Sequence, residues 1–186
     1  GVEKMPYPAV FGFLENFAID LGGMSGSHGV DKEPAVFETS SGIKTAPVIC
    51  YESIYNDYLR KYVNRGAEMI GIITNDGWWG NTPGHRQHLA YAKISCIALR
   101  RSAARSANTG ISAFISQRGD VISPTEYWKE AVVKEKIHLN DAKTYYARFG
   151  NFFASASLIF SAALIMLLLI KKSSASFGKK IIGGQS

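Results

Sequence analysis

Cysteine is scarce in this chain of 186 residues: Cys50 and Cys96 are the two present. A dense disulfide framework is excluded, and one Cys50–Cys96 bridge is the most that an oxidising compartment could form. Histidine is nearly as rare, at four residues. His85 and His88 form an H-x-x-H pair with no third ligand close by, which favours ordinary hydrogen-bonding histidines over a metal site, and nothing calls for a cofactor. The formal net charge is +6, but lysine and arginine are scattered and form no block. Such a pattern does not indicate nucleic-acid recognition, whereas a domain resting on anionic lipid headgroups is compatible with it. Internal repeats are missing, and the tail "SSASFGKKIIGGQS" reads as a flexible end.

What the sequence does contain is one long stretch without charge, "FFASASLIFSAALIMLLLI", from Phe152 to Ile170. As a helix it nearly crosses a hydrocarbon layer of about 30 Å. A buried core helix seldom runs so far without a polar face. The position of the run argues against a signal peptide, and the lysine-bearing residues after it argue against a GPI signal. The sequence therefore divides into a globular part over 1–150, a transmembrane helix over 151–171 and a basic tail over 172–186. Lys171, Lys172, Lys179 and Lys180 follow the span, against Lys143 and Arg148 shortly before it. That bias favours a cytoplasmic C-terminus and places the globular part on the outer side.

Within residues 1–150 strands and helices interleave, which predicts an α/β layered domain. Residues 9–21 have helical spacing of Phe13, Phe17 and Leu21 and end at "GGMSG". Residues 34–39 and 43–50 read as a hairpin, and "ESIYNDYLRKYVNRG" as a helix stopped by Gly66. "AEMIGIITN" (67–75) has the length and apolarity of a buried strand. A long helix is expected from His85 to Ala107, apolar at Leu89, Ile94, Ile97 and Ala98 and basic at Arg100, Arg101 and Arg105. "GISAFISQRGDVIS" predicts a hairpin turning at Arg118-Gly119-Asp120, and "AVVKEKIHL" (131–139) a further strand.

In "PVICYES" Cys50 falls at a strand end, immediately before a helix. There the unpaired N–H groups and the positive end of the helix dipole favour a thiolate, and the Tyr51 N–H could face the oxygen of an attacked carbonyl. A free cysteine at the end of an apolar strand also serves as a small core residue. Glu52 is either a favourable first-turn charge or part of the chemistry. Asn75, Asp76, Trp78 and Trp79 follow the next strand, at the edge where α/β sheets place their sites. The paired tryptophans fit an apolar lid or acyl-binding wall as well as a packed aromatic loop. His88 is the better partner for a cysteine nucleophile, should there be a Cys–His pair.

"VICYES", "TNDGWWGNTPGHRQH", "RSANTGISAFISQRGDV" and "YARFGN", followed by a terminal span, resemble in order and spacing the C-terminal half of the bacterial apolipoprotein N-acyltransferases, membrane-embedded members of the nitrilase superfamily. The likeness runs from residue 1 to about 172. It implies the later part of a nitrilase-like αββα sandwich followed by one C-terminal transmembrane helix. In the family a glutamate base, a lysine supporting the oxyanion and a cysteine nucleophile act together. The resemblance carries the nucleophile to Cys50, the following positions to Tyr51 and Glu52, and a functionally important glutamate to Glu3, with Pro6 as its proline. Pocket-shaping or scaffold positions map to Asn75, Trp78, Gly80, Gln87, His88, Asn108, Gly110, Tyr146, Arg148, Gly150 and Asn151. The base glutamate and the lysine belong before Gly1. Lys4 does not match the lysine, because it follows Glu3 instead of preceding it. The resemblance thus implies a fragment that should not turn over as written.

For the intact protein the resemblance implies a phospholipid acyl donor, a diacylglyceryl apolipoprotein acceptor and a thioester on Cys50. It also implies residence in the bacterial inner membrane with the catalytic domain on the periplasmic side. Two other classes share parts of the pattern: a membrane-tethered carbon–nitrogen hydrolase, and an inactive membrane-anchored binding module. Cys96, within "LAYAKISCIALRR", reads as structural.

Overall fold

The computed structural model describes residues 33–182, so the helix expected over 9–21 and Glu3 lie outside the described residues. The chain divides after Arg148 into two units, taken here in turn.

The first unit is built on a six-stranded sheet whose strands lie in chain order: β1 (Phe37–Glu38), β2 (Lys44–Ile49), β3 (Met69–Thr74), β4 (Ser102–Ala107), β5 (Ala113–Ile115) and β6 (Val121–Ile122). β1 and β2 form the expected hairpin, with Phe37 opposite Thr45 and Gly42 at φ 79° in the connection. β2, β3 and β4 run parallel, pairing Thr45 with Met69 and Met69 with Ser102. Parallel neighbours need crossover connections, and two helices supply them: α1 (Asn56–Asn64) between β2 and β3, and α2 (Gly84–Leu99) between β3 and β4. β5 and β6 return antiparallel around the Arg118-Gly119-Asp120 turn, as expected, with Gly119 at φ 83° and its N–H bonded to Ser116 O at 2.9 Å.

Alternation along β2 and β3 sends Ala46, Val48, Ile70 and Ile72 to one sheet face. There they pack with Leu59, Tyr62 and Val63 of α1 and with Leu89, Ala92, Cys96 and Leu99 of α2. Removing a side chain such as Leu59 or Leu99, each 1% exposed or less, would cost about 2–5 kcal/mol. Next to the helices' side, α1 stops where the periodicity of "YLRKYV" meets Gly66, which adopts φ 95°.

Three expectations need correction. The helix from His85 ends at Leu99, not at Ala107. Arg100 takes the left-handed conformation (φ 51°, ψ 48°) that closes a helix, and Ser102–Ala107 becomes the central strand β4. Small residues let β4 lie between β3 and β5, and Arg101 and Arg105, expected on a basic helix face, are buried. Arg101 directs Nε to the carbonyl of Ala67 and Nη1 to those of Leu99, Arg100 and Ala142 at 2.6–3.1 Å, while its Nη2 has no hydrogen-bond partner among the described residues. The buried face of α2 also differs: it carries His85, His88, Leu89, Ala92, Ser95, Cys96 and Leu99, while Ile94 and Ile97 stay exposed. His88 and Ser95 can occupy that face because they have partners; Ser95 Oγ lies 2.9 Å from Ser53 O and 2.6 Å from Asn56 Oδ1. Finally, residues 131–139 form no strand. The sheet ends at the two-residue β6, and this segment is tied by isolated bonds, Ser102 Oγ to His138 O at 2.7 Å and Asn140 N to Glu68 O at 3.3 Å.

The short helix α3 (Tyr145–Phe149) precedes α4 (Phe152–Ile182). In α4, Phe152–Lys171 is long and apolar enough to cross a membrane, with mean hydropathy 2.5, and its leucine, isoleucine and phenylalanine side chains are exposed.

Candidate active site

β2 delivers Cys50 to the C-terminal edge of the parallel strands, and the chain turns at once into a 3-10 helix, Cys50–Ile54. Cys50 is a free, half-buried cysteine with φ 51°. A left-handed backbone costs a residue with a Cβ about 1–2 kcal/mol, so the surroundings must hold it there. Two groups converge on its carbonyl: Ser53 Oγ donates to Cys50 O at 2.8 Å, and His88 Nε2 lies 3.2 Å from the same oxygen. Glu52 is buried and closes the turn from the other side, its Oε2 accepting from Ile49 N at 2.9 Å.

His88 comes from the first turns of α2 and is 3% exposed. Its Nδ1 lies 2.9 Å from Asp76 Oδ1 and its Nε2 3.0 Å from Ser53 Oγ. Asp76, from the turn after β3, has no exposed surface, and its second oxygen takes Arg105 Nη2 of β4 at 2.5 Å. Thr74 Oγ1 adds a bond to Asp76 Oδ1 at 3.1 Å, and Arg105 Nε reaches Ile111 O at 3.2 Å. Burial alone would raise the Asp76 carboxyl, but the His88 bond and the Arg105 charge outweigh it and hold the group below its ordinary value. Burial pulls the Arg105 guanidinium down, while Asp76 pulls it back by its charge and its hydrogen bond. Arg105 Nη1 has no hydrogen-bond partner among the described residues.

Tyr51 stacks on the His88 ring with centroids 5.4 Å apart and faces Trp79 at 5.8 Å. Burial, followed by the charge of Cys50, raises its phenol above the usual range. Tyr51, the residue after Cys50, lines a small cleft of about 90 Å³ together with Ile54, Trp79, Gln87, His88 and Tyr91. Trp79 is thus in the cleft wall, whereas Trp78 is 64% exposed and outside it. Asn75 Oδ1 accepts from Gly77 N at 3.0 Å and shapes the turn that presents Asp76. Cys96 lies in the core, where burial pushes its thiol up to about 12.

The structure therefore gathers Cys50, Tyr51, Glu52, Trp79 and His88 at one strand edge and keeps Asn75 and Trp78 on the adjoining loop. Sequence reasoning missed Arg105 and Ser53. The i, i+3 placement of Ser53 after Cys50 was a legible signal for the latter, since a serine there can bond the carbonyl that opens a helix.

A left-handed free cysteine between a parallel strand and a helical turn, with acidic and aromatic side chains around it, makes this strand edge the candidate site of the α/β sheet. The profile of the carbon-nitrogen hydrolase family matches residues 3–147, and the chain belongs to that family. More particularly, it is similar to the apolipoprotein N-acyltransferase of Chlorobaculum tepidum, 31% identical over 174 residues, covering 91% of this chain and 32% of that protein. The apolipoprotein N-acyltransferase of Geobacter metallireducens is 28% identical over 171 residues, covering 92% and 32%. The chain spans about a third of the length of these curated relatives, at 32% of each. Among solved structures, the carbon-nitrogen hydrolase from Helicobacter pylori shares the fold with TM-score 0.50 at 14% identity, over 56% of this chain and 43% of that one.

Proposed function

We propose that this chain carries the nucleophile of an acyltransferase that moves a fatty acyl group from a phospholipid to the N-terminal amine of a diacylglyceryl-cysteine lipoprotein. The observation that carries the reading is Cys50, half-buried and left-handed at the C-terminal edge of β2 beside an aromatic cleft. The sequence likeness to proteins named apolipoprotein N-acyltransferase supports the choice of substrates. In the first step the Cys50 thiolate attacks the ester carbonyl. The C–S bond forms, the ester C–O bond breaks, and the released alkoxide takes a proton to leave as lysophospholipid. In the second, the amine attacks the thioester. The C–N bond forms, the C–S bond breaks, the amine proton goes to a general base and the thiolate is restored.

Tyr51 contributes its backbone N–H to the oxyanion, and Glu3 and Glu52 act as the acidic members of the site. Asn75, Trp79 and His88 shape the substrate-binding side, Trp78 extends it from the exposed loop, and Trp79 in the cleft wall excludes water that would hydrolyse the thioester. Phe152–Lys171 spans the inner membrane and keeps the site next to its lipid substrates, with the catalytic domain on the periplasmic side. The test is mass analysis of the full-length protein incubated with phospholipid vesicles in detergent. Wild type gains one acyl chain at Cys50 that transfers to a lipopeptide amine, and Cys50→Ala gains none. An adduct that survives Cys50→Ala refutes the assignment. Release of ammonia from short amides without any acyl transfer would instead make this a membrane-tethered amide hydrolase, the reading that family membership alone supports.

A further inference from the structure

Four elements that are remote in sequence supply one continuous polar chain: Arg105 from β4, Asp76 from the turn after β3, His88 from α2 and Ser53 from the turn after β2. It ends on the carbonyl oxygen of Cys50. Arg105, Asp76 and His88 are each 3% exposed or less. A buried ion pair is poor value as plain stabilisation, since well-packed apolar residues of similar size usually do as well or better. What it supplies is a fixed direction, because each member has one geometry in which its partners are satisfied. The chain terminates on the one residue of the site whose backbone takes an unfavourable conformation. Its aromatic flank, the Tyr51 ring stacked on His88, ties the same device to the cleft wall.

We propose that the Arg105–Asp76–His88 chain is the positioning device of the nucleophile: it holds the Cys50 carbonyl through His88 and Ser53, and so fixes the left-handed backbone from which the sulfur is presented. This rests on the reading of Cys50 as the acyl-accepting nucleophile. His88 acts here through the backbone of Cys50 and is a positioning residue. Arg105 and Asp76 fix its ring in turn.

The experiment compares wild type, His88→Ala and His88→Gln in the full-length protein, following acylation of Cys50 from phospholipid vesicles as a function of donor concentration. Iodoacetamide labelling of the buried Cys96 runs in parallel as an internal report of intact packing. The expected result is a fall of about 10²-fold in kcat for His88→Ala, larger than any change in KM. Cys96 stays protected, and His88→Gln, which keeps an amide donor and acceptor, recovers most of the rate. The proposal is overturned by His88→Ala acylating at the wild-type rate. It is also overturned by a loss that appears only in KM, by Cys96 labelling in step with the loss, or by His88→Gln performing no better than His88→Ala. A wild-type protein that forms no Cys50 adduct overturns the nucleophile reading together with the device built on it, whereas the other outcomes overturn the device alone.

Discussion

Gly110 offers the sharpest test of how tightly Asp76 is held. An ideal Cβ built on Gly110 would sit 2.2 Å from Asp76 Oδ2 and 2.7 Å from its Cβ and Cγ. Non-bonded carbon contacts are comfortable at about 3.5–4.0 Å, so Gly110→Ala must displace the carboxylate by about 1 Å. A shift of that size takes bonds now at 2.5 Å to Arg105 and 2.9 Å to His88 toward or past the limit of hydrogen bonding. Overpacking alone costs about 1–3 kcal/mol, and separating a buried ion pair from its partner about 3–5 kcal/mol, so a net loss of about 3 kcal/mol is a conservative expectation. At roughly 2–4 °C per kcal/mol for a chain of this size, Tm falls by about 10 °C. Thermal unfolding of the purified protein, followed by the onset of Cys96 labelling, measures this directly. As a control, Lys134→Ala on an exposed segment should stay within about 0.5 kcal/mol of wild type. A Gly110→Ala protein that melts within about 2 °C of wild type would refute the claim that Asp76 is locked in place.

Asp76→Asn removes the counter-charge of a buried guanidinium and should destabilise by about 3–5 kcal/mol at neutral pH, read by urea unfolding. Because the folded Asp76 carboxyl is held below its ordinary 3.8, its contribution is fully present above that pH and is lost as pH falls through the lower folded value; the stability gap between wild type and Asp76→Asn should therefore be constant from pH 5 to 8 and close only below about 3.8. A gap that narrows near neutrality would point to a different group. Gly84→Ala would put a Cβ 2.5 Å from the Trp79 ring, so it should push that ring into or out of the cleft and raise KM for the lipid donor several-fold while leaving the melting curve nearly unchanged, as steady-state acyl transfer can show. Cys96→Ser should leave acyl transfer largely intact, and in wild type Cys96, with its thiol pushed up to about 12, should react with iodoacetamide at pH 8 only after unfolding.

Those features of the fold that follow from local pattern were readable in the sequence. The hairpin at Gly42, the helix ended by Gly66, the apolar strand Met69–Thr74 and the turn at Gly119 each rest on a periodicity next to a conformationally free residue. β4 was not readable, because "SAARSA" has neither alternation nor bulk. It is a strand since small residues fit between β3 and β5 and because Asp76 receives its Arg105, while a set of carbonyls receives Arg101 just before it. The helix before it ends at Arg100, a residue whose type gives no warning of a left-handed cap. The opposite error occurred at 131–139, which reads as a strand but forms no ladder among the described residues and is held by isolated bonds such as Ser102 Oγ to His138 O. At the site, Cys50 and its edge of the sheet were legible from the strand-to-helix junction. The Asp76–Arg105 contact was not, since it joins residues 29 apart that only the parallel register brings face to face.

That parallel register has a consequence for how such a protein can change over evolutionary time. The ladder that sets the distance between Cys50 and Asp76 runs through Ile49 and Ile73 and ends there, while the residues of the candidate site lie beyond it, in the turns and on the first turns of α2. A turn can lengthen, shorten or trade its aromatic side chains without disturbing a single rung. The lining of the cleft can then drift freely around a strand edge that stays where it is.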